Sequence, residues 1–422
     1  MKSNNINKNN HIELMSPAGT FESLRAALRA GADSVYFGVG RLNMRSRSSS
    51  NFSLDDLQKI SKICREQNVK TYLTLNTVVF DNEIDEIKEI IDSAHSAGIS
   101  AIIAFDPGVM EYSYNQGMPA HISTQCNITN IESVKFWSKY GDVMVMAREL
   151  SLRQVSEITK QIEEQKITGP SGNLVKIEIF CHGALCMAIS GKCYLSLDNM
   201  NYSANQGACL QLCRRSYIVT DKEEGFELEI DNQYIMSPKD LCTIGFLDKI
   251  MASGVKVLKI EGRGRSADYV KTVTQCYKEA INAVKDGSYS KEKIEEWEKR
   301  LKSVFNRGFW DGYYLGKELG EWTDRYGSQA TKKKVYVGKV TNYFSNLMVA
   351  EIKMETHDLS IDESIMIMGP TTGVVEFDVP EIRVERQPVT RTSKGEECSI
   401  PVPELVRRGD KVYKLVETNL DD

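Results

Sequence analysis

Ala97-Gly98-Ile99-Ser100-Ala101-Ile102-Ile103-Ala104-Phe105 reads as a helix end, a capping glycine and a buried strand in immediate succession. Glycine readily takes the left-handed conformation that closes a helix, and the near-continuous apolar run after it suits a parallel strand covered on both faces. The same phrase recurs at Ala30-Gly31 before Asp33–Gly38, at Tyr140-Gly141 before Asp142–Ala147, and at Ser253-Gly254 before Val255–Glu261. Further strands are expected at Ile12–Met15, Lys70–Asn76, Ala120–Thr124 and Val175–Phe180. Helical periodicity falls between them at Phe21–Arg29, Leu54–Glu66, Ile84–Ser96, Val109–Asn115, Ile131–Lys139, Leu152–Glu164, Leu241–Ala252 and Ala267–Lys285. Eight strands alternating with eight helices predict an α/β fold, a (β/α)8 TIM-like barrel, with an open doubly wound sheet as the alternative.

The barrel is expected over 12–286, after a polar, Asn-rich tail at 1–11. A charged amphipathic helix at Lys291–Phe305 and the aromatic stretch Phe309–Tyr314 make 287–332 a helical arm or linker. Short alternating strands such as Val335–Val340, Met348–Lys353, Ile365–Met368 and Lys411–Leu415 predict a small C-terminal β-barrel domain over 333–422. With 422 residues and 41% hydrophobic content, the chain can bury a core without cross-links. No apolar run is long enough to span a bilayer, and Met1–Asn10 lacks the apolar segment of a signal peptide, so a cytoplasmic protein is expected. A formal charge of −5 excludes a global basic field, and any nucleic acid would be gripped by local patches.

In such a barrel the reactive groups collect where the strands end and the βα loops begin. Those ends carry Ser16, Asn76, His121, Ser123-Thr124-Gln125, Arg148-Glu149, Glu178, His182, Lys259, Glu261 and Arg263. Ion pairs that merely lock the rim are the bland explanation. A ligand site accounts better for so many polar groups together, with Arg148 and Arg263 suited to a planar carboxylate or phosphate.

Six of the ten cysteines fall between Cys181 and Cys242, and Cys186, Cys193, Cys209 and Cys213 form C-x6-C-x15-C-x3-C at the predicted catalytic mouth. Clustered thiolates need a cation to offset their charge, which favours metal or cluster binding over free thiols. Zinc sites usually pair cysteines through C-x2-C, which is missing here, whereas an iron–sulfur cluster tolerates wider spacings. From the spacing alone an iron–sulfur cluster, zinc, and buried or redox-paired thiols all remain open. Cys242 is an alternate ligand, Cys181 is expected in the core, and His182 is expected to be a hydrogen-bond partner on the rim. Cys126, alone, is expected to be inert.

The run Glu178-Ile-Phe-Cys-His-Gly-Ala-Leu-Cys-Met-Ala-Ile-Ser-Gly-Lys-Cys-Tyr-Leu-Ser196 resembles the signature of the peptidase U32 family. Glu13-Leu-Met-Ser-Pro-Ala-Gly19, His121-Ile-Ser-Thr-Gln125, Ala147-Arg-Glu149, Asn205-Gln-Gly-Ala-Cys209, Met236-Ser-Pro-Lys-Asp240 and Lys259-Ile-Glu-Gly-Arg263 match as well, so the resemblance spans nearly the whole chain. It implies an oxygen-independent hydroxylation protein with a [4Fe–4S] cluster on Cys186, Cys193, Cys209 and Cys213. The likeness is greatest to the type that forms 5-hydroxyuridine at the tRNA wobble position with prephenate as hydroxyl source.

On that reading Arg148 and Arg263 hold the donor's carboxylates, and Glu261 or His121 moves protons. Lys192, Arg214 and Arg215, with Arg41, Arg45 and Arg47, become candidate phosphate contacts to RNA. Two rivals stand beside it: a collagenase-like protease, although neither H-E-x-x-H nor G-x-S-x-G occurs, and a non-catalytic or ubiquinone-type hydroxylation subunit.

Overall fold

The computed structural model describes residues 11–46, 51–217, 219–220, 223, 227–228, 236–317 and 320–418. Eight parallel strands close on themselves: β1 (Glu13–Pro17), β2 (Ser34–Phe37), β3 (Lys70–Leu75), β4 (Ala101–Ala104), β5 (Ala120–Ile122), β6 (Val143–Val145), β7 (Lys176–Ala184) and β8 (Val257–Ile260). Each pairs with the next in sequence, and β8 pairs with both β7 and β1, at Val257↔Glu178 and Glu13↔Val257, which completes the ring. The TIM-like barrel read from the sequence is therefore the fold.

Helices cover the barrel at α1 (Phe21–Arg29), α2 (Asp56–Arg65), α3 (Ile84–Ala97), α4 (Pro107–Asn115), α5 (Ile131–Trp137), α6 (Leu152–Gln165), α7 (Leu247–Ala252) and α8 (Ala267–Asp286). Local chemistry sets their ends. Thr20 and Ser151 accept hydrogen bonds from the first turns of α1 and α6, Pro107 opens α4, and Gly98 closes α3 at φ 74°. Alternation along each strand then divides the side chains. Leu14, Val35, Leu73, Ile102, Ile122, Ile177 and Leu258 pack outward beneath the helices. Met15, Tyr36, Tyr72, Ile103, Val143 and Val257 form a separate cluster inside the barrel.

The helix expected over Leu241–Ala252 begins later than its apolar spacing suggests. Asp240–Cys242 is instead a strand, and α7 starts at Leu247. The cause lies in β7, which runs four residues past the expected Phe180, to Ala184, and offers an edge that Asp240–Cys242 fills antiparallel, with Leu241 opposite Gly183. Phe309–Trp310 then adds to the other side of Asp240–Cys242. Helix α9 (Lys291–Ser303) packs on α8 through buried Trp297 and Leu301, and Trp297 and Arg300 both donate to Glu279.

The C-terminal region is antiparallel throughout, from β9 (Lys332–Phe344) and β10 (Val349–Met354) through β11 (Ser364–Gly369), β12 (Gly373–Asp378), β13 (Ile382–Val384), β14 (Gln387–Val389) and β15 (Glu397–Pro401) to β16 (Lys411–Glu417). Its order is β12-β11-β16-β9-β10-β15-β13-β14, wrapped about a core of Val337, Ile352, Ile365, Ile367, Ile400 and Val412. It docks on the barrel where Met366 and Val374 meet Ala26 and Ala267 of α1 and α8. Lys271–Glu376 and Arg29–Glu404 ion pairs flank that contact. Among the described residues no helix is long and apolar enough to cross a membrane.

Gly183 shows how tightly β7 and β8 meet. It sits at φ 106°, and a Cβ there would lie 2.3 Å from the Glu261 carbonyl oxygen. Gly183→Ala is therefore expected to destabilise the protein by at least about 1–3 kcal/mol, read as a lower urea midpoint at unchanged slope.

Candidate active site

The site starts inside the barrel, where aliphatic side chains are usual. Glu178 of β7 is fully buried; its Oε1 accepts from Lys259 Nζ of β8 at 2.8 Å, and its Oε2 lies 3.1 Å from His121 Nδ1 of β5. An ionised carboxylate only accepts, so His121 carries its proton on Nδ1. Burial pushes the Glu178 pKa up, but the Lys259 charge and the bonds from His121 and Lys259 outweigh it and hold the carboxyl at about 2. Lys259 Nζ also lies 4.6 Å from the centre of the Tyr36 ring, a cation–π contact.

One turn of the alternation further, at the strand ends, stand Glu261 and Arg263. Glu261 Oε1 accepts from Arg45 Nη2 at 2.7 Å and Nε at 3.1 Å, and Tyr36 Oη lies 3.2 Å from Oε2. Burial raises the Glu261 pKa, yet Arg45 above all, with Arg263 and Arg148, brings it below the usual carboxylate value. Arg263 is 5% exposed and donates to Thr74 Oγ1 at 2.8 Å. Burial, only partly offset by Tyr36 and Glu261, draws its pKa down to about 10. Arg148 donates to Ser190 Oγ at 3.0 Å, which ties the end of β6 to the cysteine loop.

Cys186, Cys193, Cys209 and Cys213 all come to this mouth, lining two adjoining cavities. The inner cavity, about 130 Å³, is walled by Lys259, Glu261, Arg263, Cys186, Cys193 and Cys209. An outer one, about 140 Å³, is walled by Cys186, Cys209, Cys213, Arg148 and Glu261. Cys186 and Cys209 stand on the partition. Burial raises the Cys213 pKa to about 11, with Arg214 opposing and the other three cysteines reinforcing the rise. The same two influences, burial and the neighbouring Cys186 and Cys209, raise Cys193. The thiols thus feel one another's charge. Among the described residues no three His, Cys, Asp or Glu side chains stand together as a ready cage for a single metal ion.

The other residues singled out from the sequence are placed differently. His121 sits beneath the inner cavity, against Glu178 and the Tyr72 ring, and Lys259 is the group that reaches the cavity floor. Cys242 lies under Tyr277 and lines a separate cavity with Phe246 and Phe309, away from the other four cysteines. Cys181 is buried in the core as expected, and His182, fully buried beside Tyr277, has its pKa drawn down to about 3 by burial and by Arg265.

Arg41 is ion-paired with Glu83 and Glu86, and Arg214 spends its N–H groups on Ser237, Pro238 and Leu185. Lys192 and Arg215 are exposed; Arg47 lies outside the described residues. Arg45, expected as a phosphate contact, instead holds Glu261, and Arg265 and Arg307 escaped the sequence reading. Lys259 was legible, since a strand's alternation puts it on the same face as Glu261.

The family model described as peptidase family U32 matches residues 19–324. A Porphyromonas gingivalis protein named collagenase is 56% identical, over 96% of this chain and 98% of its own length. The tRNA hydroxylation protein P1 of Bacillus subtilis is 30% identical over 88% of this chain and 84% of its own. A tRNA hydroxylation protein P of Helicobacter pylori is 32% identical over 72% of each.

Removing one partner of the buried network leaves a bare charge in the barrel. Glu178→Ala is expected to cost about 3–5 kcal/mol in chemical unfolding, whereas the double change with Lys259→Met costs less than the sum of the two single changes. The pH dependence has a definite sign. The folded pKa of Glu178 lies below the ordinary glutamate value of 4.5, so its contribution is complete above pH 4.5 and is lost as pH falls toward 2. Unfolding midpoints measured across that window are expected to fall less steeply in Glu178→Gln than in the parent.

Proposed function

From the membership of this chain in peptidase family U32, we propose that it is an RNA-hydroxylating enzyme. Its product is 5-hydroxyuridine at the tRNA wobble position, and its hydroxyl donor is a small carboxylate of the prephenate kind. The observation that carries this reading is the inner cavity, where Arg45, Arg148, Arg263 and Lys259 stand among apolar walls beside three cysteines at the C-terminal end of the barrel. Its volume is close to that of the ~150 Å³ engineered cavity that takes up one benzene ring, so it suits a single ring and excludes a folded polynucleotide. A base would enter only after leaving its stack.

Cys186, Cys193, Cys209 and Cys213 fit a [4Fe–4S] cluster in number, in donor type and in convergence on one mouth, and they would hold it. When bound, that group supplies electron transfer or Lewis acidity. The chain's own residues do the rest. Arg263 and Arg148 grip carboxylate oxygens, Lys259 Nζ presents its protons at the cavity floor under the aim of Glu178, and Glu261, kept ionised by Arg45, accepts a hydrogen bond at the rim. His121 acts through Glu178 as a positioning residue.

The 56% identical relative named collagenase favours a second reading, proteolysis. The chain offers it little, since neither H-E-x-x-H nor G-x-S-x-G occurs. Protein purified without air is expected to be brown, with iron lost in Cys186→Ala and Cys209→Ala, and tRNA from a strain lacking this chain is expected to lose its 5-hydroxyuridine derivatives. Unchanged tRNA nucleosides together with gelatin cleavage by the metal-free protein would reverse the choice.

A further inference from the structure

Five arginines wall the outer cavity: Arg45, Arg148, Arg214, Arg265 and Arg307. Glu261 engages Arg45. Arg265 and Arg307 share one buried carboxylate, Asp240, at 3.4 Å and 3.5 Å, and their guanidiniums lie 3.7 Å and 5.1 Å from the centre of the Phe305 ring. Arg148 and Arg214 donate to neutral oxygens, those of Ser190, Ser237, Pro238 and Leu185. The wall therefore holds more guanidiniums than carboxylates, in a chain whose formal charge is −5. Burial weakens the hold of Arg307 on its proton, and its pKa falls to about 10. Ligating thiolates of Cys186, Cys209 and Cys213 would answer part of that charge, but Arg265 and Arg307 share the single carboxylate of Asp240, and that half-buried pair keeps a charge for an anion.

We propose that the outer cavity binds a phosphodiester of single-stranded RNA, through Arg265 and Arg307, beside the nucleotide whose base occupies the inner cavity. This rests on the RNA reading above. The planar forks of arginine match phosphate oxygens, and stacking on Phe305 fixes their planes in advance. The two cavities share Arg45, Arg148, Glu261, Cys186 and Cys209, so base and phosphate lie side by side as they do within one nucleotide step. Neither Arg265 nor Arg307 belongs to the machinery proposed for the reaction itself.

The test uses the full-length, iron-loaded protein and a single-stranded RNA oligonucleotide, with affinity measured against salt. Arg265→Gln and Arg307→Gln are each expected to weaken binding about tenfold and to flatten the slope of log affinity against log salt by ~0.7. Arg307→Lys is expected to restore the slope while recovering only part of the affinity, and Arg408→Gln, on the exposed C-terminal region, is expected to change neither. An oligonucleotide with neutral methylphosphonate linkages is expected to bind the parent as weakly as it binds the variants.

Iron content and thermal midpoint are followed in parallel. Binding by the parent that is unchanged in both Gln variants overturns this site and leaves the RNA reading standing. A loss of affinity that merely tracks lost iron also overturns it and assigns the arginines to the sulfur ligands' charge. A parent that binds no RNA overturns the site and the RNA reading together.

Discussion

Glu178 carries its charge at the centre of the barrel, and it stays there because Lys259 of β8 and His121 of β5 meet it from two sides. A buried carboxylate without such partners would be neutral or would unfold its surroundings. The same three residues come from strands that are distant in sequence, so the network forms only when the ring closes. It also decides what the inner cavity can be. Lys259 reaches the floor with its ammonium already oriented, and the rings of Tyr36 and Phe180 keep it among apolar walls.

Above that floor the site is assembled by competition for edges. β7 overruns the barrel, Asp240–Cys242 pairs with the overrun, and Phe309–Trp310 pairs with Asp240–Cys242 in turn. Three segments that are far apart in the chain are thereby stacked beside the mouth. Asp240 is delivered beneath Arg265 and Arg307, and Arg214 ties the cysteine loop to Leu185, Ser237 and Pro238. The loop's four thiols therefore face the cavities that the strand ends create, although the loop itself is short of regular structure.

The strands were legible because each is a short apolar run behind a helix-capping glycine, and a parallel strand covered on both faces reads the same way in any context. The helices around the barrel were legible from their 3.6-residue spacing, which misplaced the start at Leu241–Ala252, while the short helix Leu195–Met200 in the cysteine loop was not read. There the apolar residues suit either a helix or an edge strand, and the free edge of β7 decided. The cysteines were legible as a group from their crowding. Which of them share a cavity was not, since Cys242 is close to the loop in sequence yet lies behind Tyr277.

Sequence by itself determined the alternation of strand and helix and the crowding of cysteines in the segment after β7, because periodicity, capping and spacing are local properties of the chain. Tertiary structure alone decided that Lys259, and not His121, meets the inner cavity, that Arg45 holds Glu261, and that Arg265 and Arg307 share Asp240. Those are contacts across the closed barrel and its added edge, and the charge of a buried group is set by whichever partner the fold brings to it.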